Sequence, residues 1–306
     1  MRLGRAQVHW RWDRALAPQL RIGDGEEVLV QTAEASGGQL GPRSTSADLV
    51  ALSLDRVNPV TGPIFVEGAQ PGDALEVEIL SIEVADWGWT ANIPGFGLLA
   101  DEFPEARLAI SRIAGDAVAL PFGVELRCVP MIGTIGLAPV QPGQHPILPP
   151  TRQGGNMDIR HLTAGAVLRL PVAVPGALLS VGDIHAAMGD GEVCGTGIET
   201  AAEVRLRLRL LPGQAPAFPL FRTTGHAARR GAELATTGIG SDLMEAARDA
   251  VRGLLDELER LTGLSRLEAY LLASVAADLK ICEVVDAPNW VVSAHLEEAV
   301  LASGAR

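Results

Sequence analysis

The stretch Ala202-Glu203-Val204-Arg205-Leu206-Arg207-Leu208-Arg209-Leu210-Leu211 alternates without a break. Val204, Leu206, Leu208 and Leu210 fall on one face, and Arg205, Arg207 and Arg209 on the other. A period of two places successive side chains on opposite faces, so this is a half-buried antiparallel strand. Working outward, similar short runs recur at 26–31 (EEVLVQ), 74–84 (ALEVEILSIEV), 123–130 (GVELRCVP) and 166–174 (AVLRLPVAV), separated by Gly and Pro. Many short strands with Gly/Pro turns predict a mainly β fold, a β-sandwich of jelly-roll type.

The character changes near residue 235. Asp242 with Glu245, then Leu243, Met244, Ala247, Val251, Leu254, Leu255, Leu258 and Leu261, gives an N-cap and an apolar stripe at helical spacing, stopped by Gly263. Ser265 with Glu268 repeats the capping pattern. The reading is a β-rich body over 1–215 and a C-terminal α+β portion over 216–306. That portion has helices at about 242–262 and 266–281, and a returning strand at Trp290-Val291-Val292. The Pro-rich segment 211–220 joins the two.

Of 306 residues, 47% are hydrophobic and 20% charged, which supplies a core and argues against disorder. The net charge of −12 disfavours nucleic acid and anionic membranes as partners. No apolar run approaches the ~18 residues of a membrane span. Cys128, Cys194 and Cys282 are odd in number and widely spaced, which predicts a reducing, cytoplasmic setting without a disulfide framework. Lys280 is the single lysine. Arginine does not deprotonate in proteins, so any chemistry that needs a catalytic lysine must use Lys280.

Polar residues concentrate in two loops. One is Gly154-Gly155-Asn156-Met157-Asp158-Ile159-Arg160-His161. The other runs from Gly182 to Glu199 and contains Asp183, His185, Asp190, Glu192 and Glu199 among five glycines. One imidazole with several carboxylates can bind Zn²⁺ through N and O and leave a carboxylate as general base. The same oxygens can hold Ca²⁺. Taken singly these residues are ordinary: Gly-Asp-Gly-Glu is common turn chemistry, and one loop histidine is usually a surface group. Their density makes them the mouth of a site.

Weaker candidates stand beside them. His9 lies in an aromatic N-terminal run. Ser36-Gly37-Gly38-Gln39 has the form of an oxyanion-binding turn or of a plain Gly-Gly turn. Cys194 is a nucleophile or a small apolar filler. Residues 236–241 (TTGIGS) lead toward a helix N-terminus without the lysine of a phosphate loop.

Taken together, 58–71 (NPVTGPIFVEGAQP), 87–104 (WGWTANIPGFGLLADEFP), 154–161 (GGNMDIRH), 181–200 (VGDIHAAMGDGEVCGTGIET), 236–249 (TTGIGSDLMEAARD) and 268–290 (EAYLLASVAADLKICEVVDAPNW) resemble the acetamidase/formamidase family. The resemblance implies hydrolysis of short aliphatic amides to a carboxylate and ammonia. It also implies a jelly-roll-like body, a homo-oligomer (dimer or higher) and a divalent metal, zinc first and calcium second. On the matching loops it implies roles for Asn156, Asp158, Asp183, His185, Asp190, Glu192 and Glu199. His9 corresponds to a histidine that precedes Trp-Asp in the family, but the segment here, HWRWDRALAP, lacks the Asn that commonly follows. The 36–39 turn matches the acetamidase-like version.

The expectation is therefore a metal held by Asp158, Asp183, His185 and Asp190, with Glu192 or Glu199, beside His185, moving the proton. Asn156, His9, Gly37, Gly38 and Trp89 are expected to contact substrate, in a tight apolar pocket that also includes Trp87, Ile93, Pro94 and Phe96. The rival readings are a metal-free amidase using Cys194, and a non-catalytic β-sandwich that binds a metal or a small amide.

Overall fold

The structure is a computed structural model and describes residues 1–224 and 231–304. Two large sheets carry the chain. The nine-stranded sheet runs, in spatial order, through Arg2–Leu3, Glu27–Thr32, Ala202–Leu211, Ala74–Val84, Val167–Pro171, Leu220–Thr223, Glu233–Gly240, Trp290–Glu297 and Asp278–Glu283. The eleven-stranded sheet is built around Leu179–His185, which pairs with Val60–Val66 and Met131–Gly136 and, at its end, with Glu199–Thr200.

The alternating strand behaves as its pattern dictates. Val204, Leu206 and Leu208 are fully buried, while Arg205 and Arg209 face out. They join Val28, Val30, Val77 and Ile79 of the same sheet and Ile132, Ile135, Val181 and Ile184 of the other in one core, so the two sheets are faces of a sandwich. On the outer face, Arg207 bridges Glu78 at 2.7 Å and Glu27 at 2.6 Å, and Glu76 takes Arg169 at 2.9 Å and Arg209 at 3.3 Å. Opposite charges on neighbouring strands of one face reinforce the register.

The first expected helix is present as Leu243–Thr262, capped by Asp242, whose side chain accepts from Glu245 N, and ended by Gly263 in the left-handed conformation. The second begins at its Ser265/Glu268 capping box but stops at Ala276, not near 281. Residues Asp278–Glu283 form a strand instead, antiparallel to Trp290–Glu297. In Asp278-Leu279-Lys280-Ile281 the polar and apolar residues alternate, and pairing with a long partner strand decides a segment whose local pattern fits either state. Both helices pack over Trp290–Glu297, and the C-terminal strands extend the nine-stranded sheet. Among the described residues no helix is long and apolar enough to cross a membrane.

His9 sits at the seam between the N-terminal segment and the central strand. One ring nitrogen, Nδ1, is 2.9 Å from Arg11 O and the other, Nε2, is 2.8 Å from Ser180 Oγ. Both ring nitrogens are thus engaged within the chain. Burial, only partly offset by the hydrogen bond to Arg11, lowers the imidazole pKa to about 4.

Two stability outcomes follow. Leu206→Ala removes buried methyl groups from between the sheets and should cost about 2–5 kcal/mol in denaturant unfolding. For His9, the unfolded chain takes up a proton near pH 6.5 and the folded chain only near 4. Below pH 6.5 the unfolded state therefore binds more protons, and this group withdraws up to about 3 kcal/mol of stability as pH falls toward 4. Urea titrations at pH 7 and 4.5 should show a smaller loss for His9→Gln than for the native chain.

Candidate active site

Three neighbouring strands bring the two polar loops together. Met131–Gly136 lies between Gly154–Asn156 and Leu179–His185, with Thr134 opposite both Asn156 and Gly182. His185 faces Glu199 across the next ladder, and Glu199 faces Trp89. The register thus fixes Asn156, Asp183, His185, Glu199 and Trp89 in one region of the sheet, although they span more than a hundred residues of sequence.

Two glycines make room. A Cβ at Gly133 would lie 2.5 Å from Asp158 Oδ1 and 2.7 Å from Asp183 Oδ2, and one at Gly197 would lie 2.7 Å from the His185 ring. Three of the acids themselves adopt positive φ: Asp158 at 45°, Asp183 at 55° and Glu192 at 44°. Such conformations cost on the order of 1–3 kcal/mol each in a non-glycine residue and collect at functional sites.

The imidazole of His185 is fully buried inside a shell of carboxylates. Its Nε2 is 3.1 Å from Glu199 Oε1, 3.5 Å from Asp183 Oδ1 and 3.8 Å from Glu192 Oε1, and its Nδ1 is 3.9 Å from Asp158 Oδ1. Neither ring nitrogen makes a well-directed hydrogen bond, and neither do both oxygens of Asp158 or Oε2 of Glu199. Buried polar atoms are normally satisfied, so this concentration of orphans calls for an absent partner. Two sets of potential ligands share His185: Asp158, His185 and Glu192, and Asp183, His185 and Glu199, each with its atoms within 4.8 Å of one another. Buried anionic oxygens around an imidazole are the donor set a divalent cation takes, so the residues fit a metal.

The charges agree. Burial, then the neighbouring Glu192 and Asp183, push Asp158 well above the usual carboxylate range. Burial pushes Glu192 well above it and Glu199 to about 7, against the opposing pull of His185. For His185 the burial effect is outweighed by Glu199 and Asp183, and its pKa rises well above 6.5. For Asp183, burial is outweighed by His185, and its pKa falls. The cluster holds more acidic groups than one imidazolium can balance, and burial holds Asp158, Glu192 and Glu199 toward their protonated forms.

A cavity of about 360 Å³ opens onto this cluster. Asp183, Glu192, Glu199, Asn156 and Asp286 line it together with Ser36, Leu49, Leu52, Asn58, Trp89, Ile93, Pro94, Phe96 and Leu148. The expected Trp89, Ile93, Pro94 and Phe96 are present. Trp87 lines a different depression, with Gly37 and Gly38.

Several expected residues lie elsewhere. The Ser36–Gly38 turn is an anion-binding turn filled by the chain's own Glu34. The N–H groups of Ser36 and Gly38 donate to its carboxylate at 2.8 and 2.7 Å, and Trp89 Nε1 donates at 2.7 Å. Gly37 and Gly38 do not line the cavity, and the N–H groups of Ser36 and Gly38 fix the Trp89 indole through Glu34. Asp190 is not brought to His185. It lies 3.8 Å from Arg160 and 3.7 Å from His161, because Gly191, whose N–H donates to Cys282 O, separates it from Glu192. Lys280 is on a strand, beside Glu233 at 3.4 Å, His295 at 3.3 Å and His161 at 3.5 Å, and does not line the cavity. The Cys194 thiol contacts the hydroxyls of Thr196 and Thr90 and lines an adjoining surface groove that shares Glu192 and Thr196 with the cavity.

Sequence reasoning missed Asn58, Thr134, Glu283 and Asp286. Asn156 Oδ1 accepts from Asn58 Nδ2 at 2.9 Å and from Thr134 Oγ1, and Asn156 Nδ2 donates to Asp286 at 2.6 Å. Glu283 accepts from the N–H groups of Val285 and Asp286 at 2.9 and 3.0 Å, which shapes the turn that presents Asp286. Asn58 has φ of 49° and a buried Oδ1 without a partner, again at the cavity. Asn58, Glu283 and Asp286 fall inside the stretches that carry the family resemblance, but nothing in their local spacing marks a role.

Comparison with known proteins agrees with this architecture. The chain is 30% identical to a formamidase of Methylophilus methylotrophus over 262 residues, 67% of this chain and 64% of that protein. It is 28% identical to an acetamidase of Mycolicibacterium smegmatis, covering 67% of this chain and 66% of that one. The chain thus spans just under two thirds of the length of the formamidase it matches. Among solved structures, an acetamidase from Bacillus halodurans superimposes with a TM-score of 0.92 at 32% identity, covering 99% of both chains. A gamma lactamase from Delftia acidovorans superimposes with 0.69 at 26% identity, covering 96% of this chain and 89% of that one. The sequence model of the Acetamidase/Formamidase family matches residues 2–146 and 144–302, nearly the whole chain, and the chain belongs to that family.

Proposed function

We propose that this protein hydrolyses an amide C–N bond to a carboxylate and ammonia at the floor of the cavity beside Trp89. The observation that carries the reading is His185, with neither ring nitrogen in a well-directed hydrogen bond, inside a buried ring of carboxylates at the end of a substrate-sized cavity. Asp183, His185 and Glu199 are the better seat for a divalent cation, zinc first and calcium second. Both carboxylates of that set face the cavity, whereas Asp158 of the other set does not. When bound, such a cation supplies Lewis acidity toward water and toward an amide carbonyl.

The chain's own residues do the rest. Asn58 Oδ1, unpartnered at the wall, accepts an N–H of the substrate amide. Asn156 gives one Nδ2 hydrogen to Asp286 and retains the other for the carbonyl oxygen as charge develops there. Glu192 takes a proton from the attacking water as its oxygen bonds to the carbonyl carbon. It then returns that proton to nitrogen as the C–N bond breaks. The left-handed backbone at Glu192 aims its side chain at this cluster while Asp190, two residues earlier, turns to Arg160. Lys280 stands beside Glu233, which weighs against a lysine-assisted nucleophile.

Elemental analysis should find about one divalent ion per chain. Ammonia release from formamide, acetamide, propionamide and urea should disappear on chelation and return with the metal. A metal-free preparation of full activity would overturn the metal-assisted route. His185→Ala should lose both the ion and turnover. Glu192→Gln should keep the ion and lose on the order of 10²–10⁴ in kcat, the usual contribution of a general base. If thiol alkylation at Cys194 removes activity while metal content is unchanged, the cysteine route is favoured instead.

A further inference from the structure

The cavity is larger and more graded in polarity than a minimal amide requires. Acetamide fills roughly three water volumes of about 30 Å³ each, yet the cavity holds about 360 Å³. Its polar residues, Asp183, Glu192, Glu199, Asn156 and Asp286 with Asn58, Ser36 and Thr196, are all buried. Its apolar wall rises from them to the surface, where Leu148 is 37% and Leu54 72% exposed. Between the two, Trp89, Leu52, Ile93 and Phe96 present hydrocarbon, and the one polar group of Trp89 is turned away to Glu34. An amide group anchored at the floor therefore directs its acyl substituent along an apolar channel, and a methyl group would leave most of that channel unfilled.

From this we infer that the substrate class is primary amides with an apolar acyl group of about five to eight carbons, open-chain or cyclic, rather than formamide or acetamide. The inference rests on the amide-hydrolase reading above for the chemistry and on the shape and lining of the cavity for the selectivity. Each methylene that leaves water for the wall gains about fourfold. From acetamide to hexanamide, kcat/KM should rise on the order of a hundredfold.

The test has two arms. In the first, ammonia release by the metal-loaded protein is measured with formamide, acetamide, butyramide, hexanamide and cyclohexanecarboxamide. In the second, thermal stabilisation of the chelated, inactive protein is measured with acetamide and with hexanamide at equal concentration. A rising series with stabilisation by hexanamide alone is the expected result. Stabilisation by hexanamide without release of ammonia from any amide upholds the channel and overturns the hydrolase reading. Turnover of acetamide at a kcat/KM equal to or above that of hexanamide, with equal stabilisation by both, overturns the channel and leaves the hydrolase reading intact. Leu52→Asp places a charge on the wall and should bring the ratio of hexanamide to acetamide turnover toward one. A ratio unchanged in a variant of native melting temperature would also overturn the inference.

Discussion

The structure depends on keeping several carboxylates out of water around one imidazole. Each buried charge carries a desolvation penalty of several kcal/mol, and like charges at these distances repel strongly in a low-dielectric interior. The surrounding fold is organised to sustain that arrangement. Gly133 and Gly197 stand where any side chain would collide with the acids or the ring. Asp158, Asp183 and Glu192 are held at positive φ, a cost that persists only because both sheets of the sandwich fix the chain on either side. A second layer, Thr134, Asn58, Asp286 and Glu283, spends its hydrogen bonds on positioning Asn156 and the 283–286 turn.

Two polar clusters lie back to back, and Gly191 divides them. On one side are His185 and its acids. On the other, Asp190, His161, Lys280, His295 and Glu233 form a mixed-charge group that neutralises itself. A hydrogen bond from His295 holds the second group together: it lowers Glu233 to about 2 against the opposing effect of burial, with Lys280 adding to it. In that group Lys280 stands beside Glu233 within the protein, whereas the acidic groups around His185 outnumber their one local cation. This contrast, more than the number of acids in either loop, separates the two clusters chemically.

The same contrast explains which site residues were legible beforehand. Density of His, Asp and Glu among glycines located the region, and Asp158, Asp183, His185, Glu192 and Glu199 do converge there. The pattern did not distinguish Asp190 from Glu192, since a Gly-Asp-Gly-Glu turn leaves open which side chain faces which way until Gly191 is tied to the neighbouring strand. Nor did it reveal that the Ser36–Gly38 turn is filled from within, because Glu34 reads as an ordinary surface acid until Trp89 arrives from another strand. Asn58 and Asp286 carry no local signal at all, being brought in by the parallel-in-space course of segments far apart in sequence.

By itself the sequence determined the period-two strands, the capped helix Leu243–Thr262 and the mainly β class, since these rest on local periodicity and capping that the chain carries wherever it goes. The family resemblance, too, was readable without coordinates. Tertiary structure alone decided that Asp278–Glu283 is a strand, that the acids share one imidazole, and that an apolar channel stands over them. Those features depend on strand register and on which faces meet across the sandwich, and such long-range pairings are not encoded in the spacing of neighbouring residues.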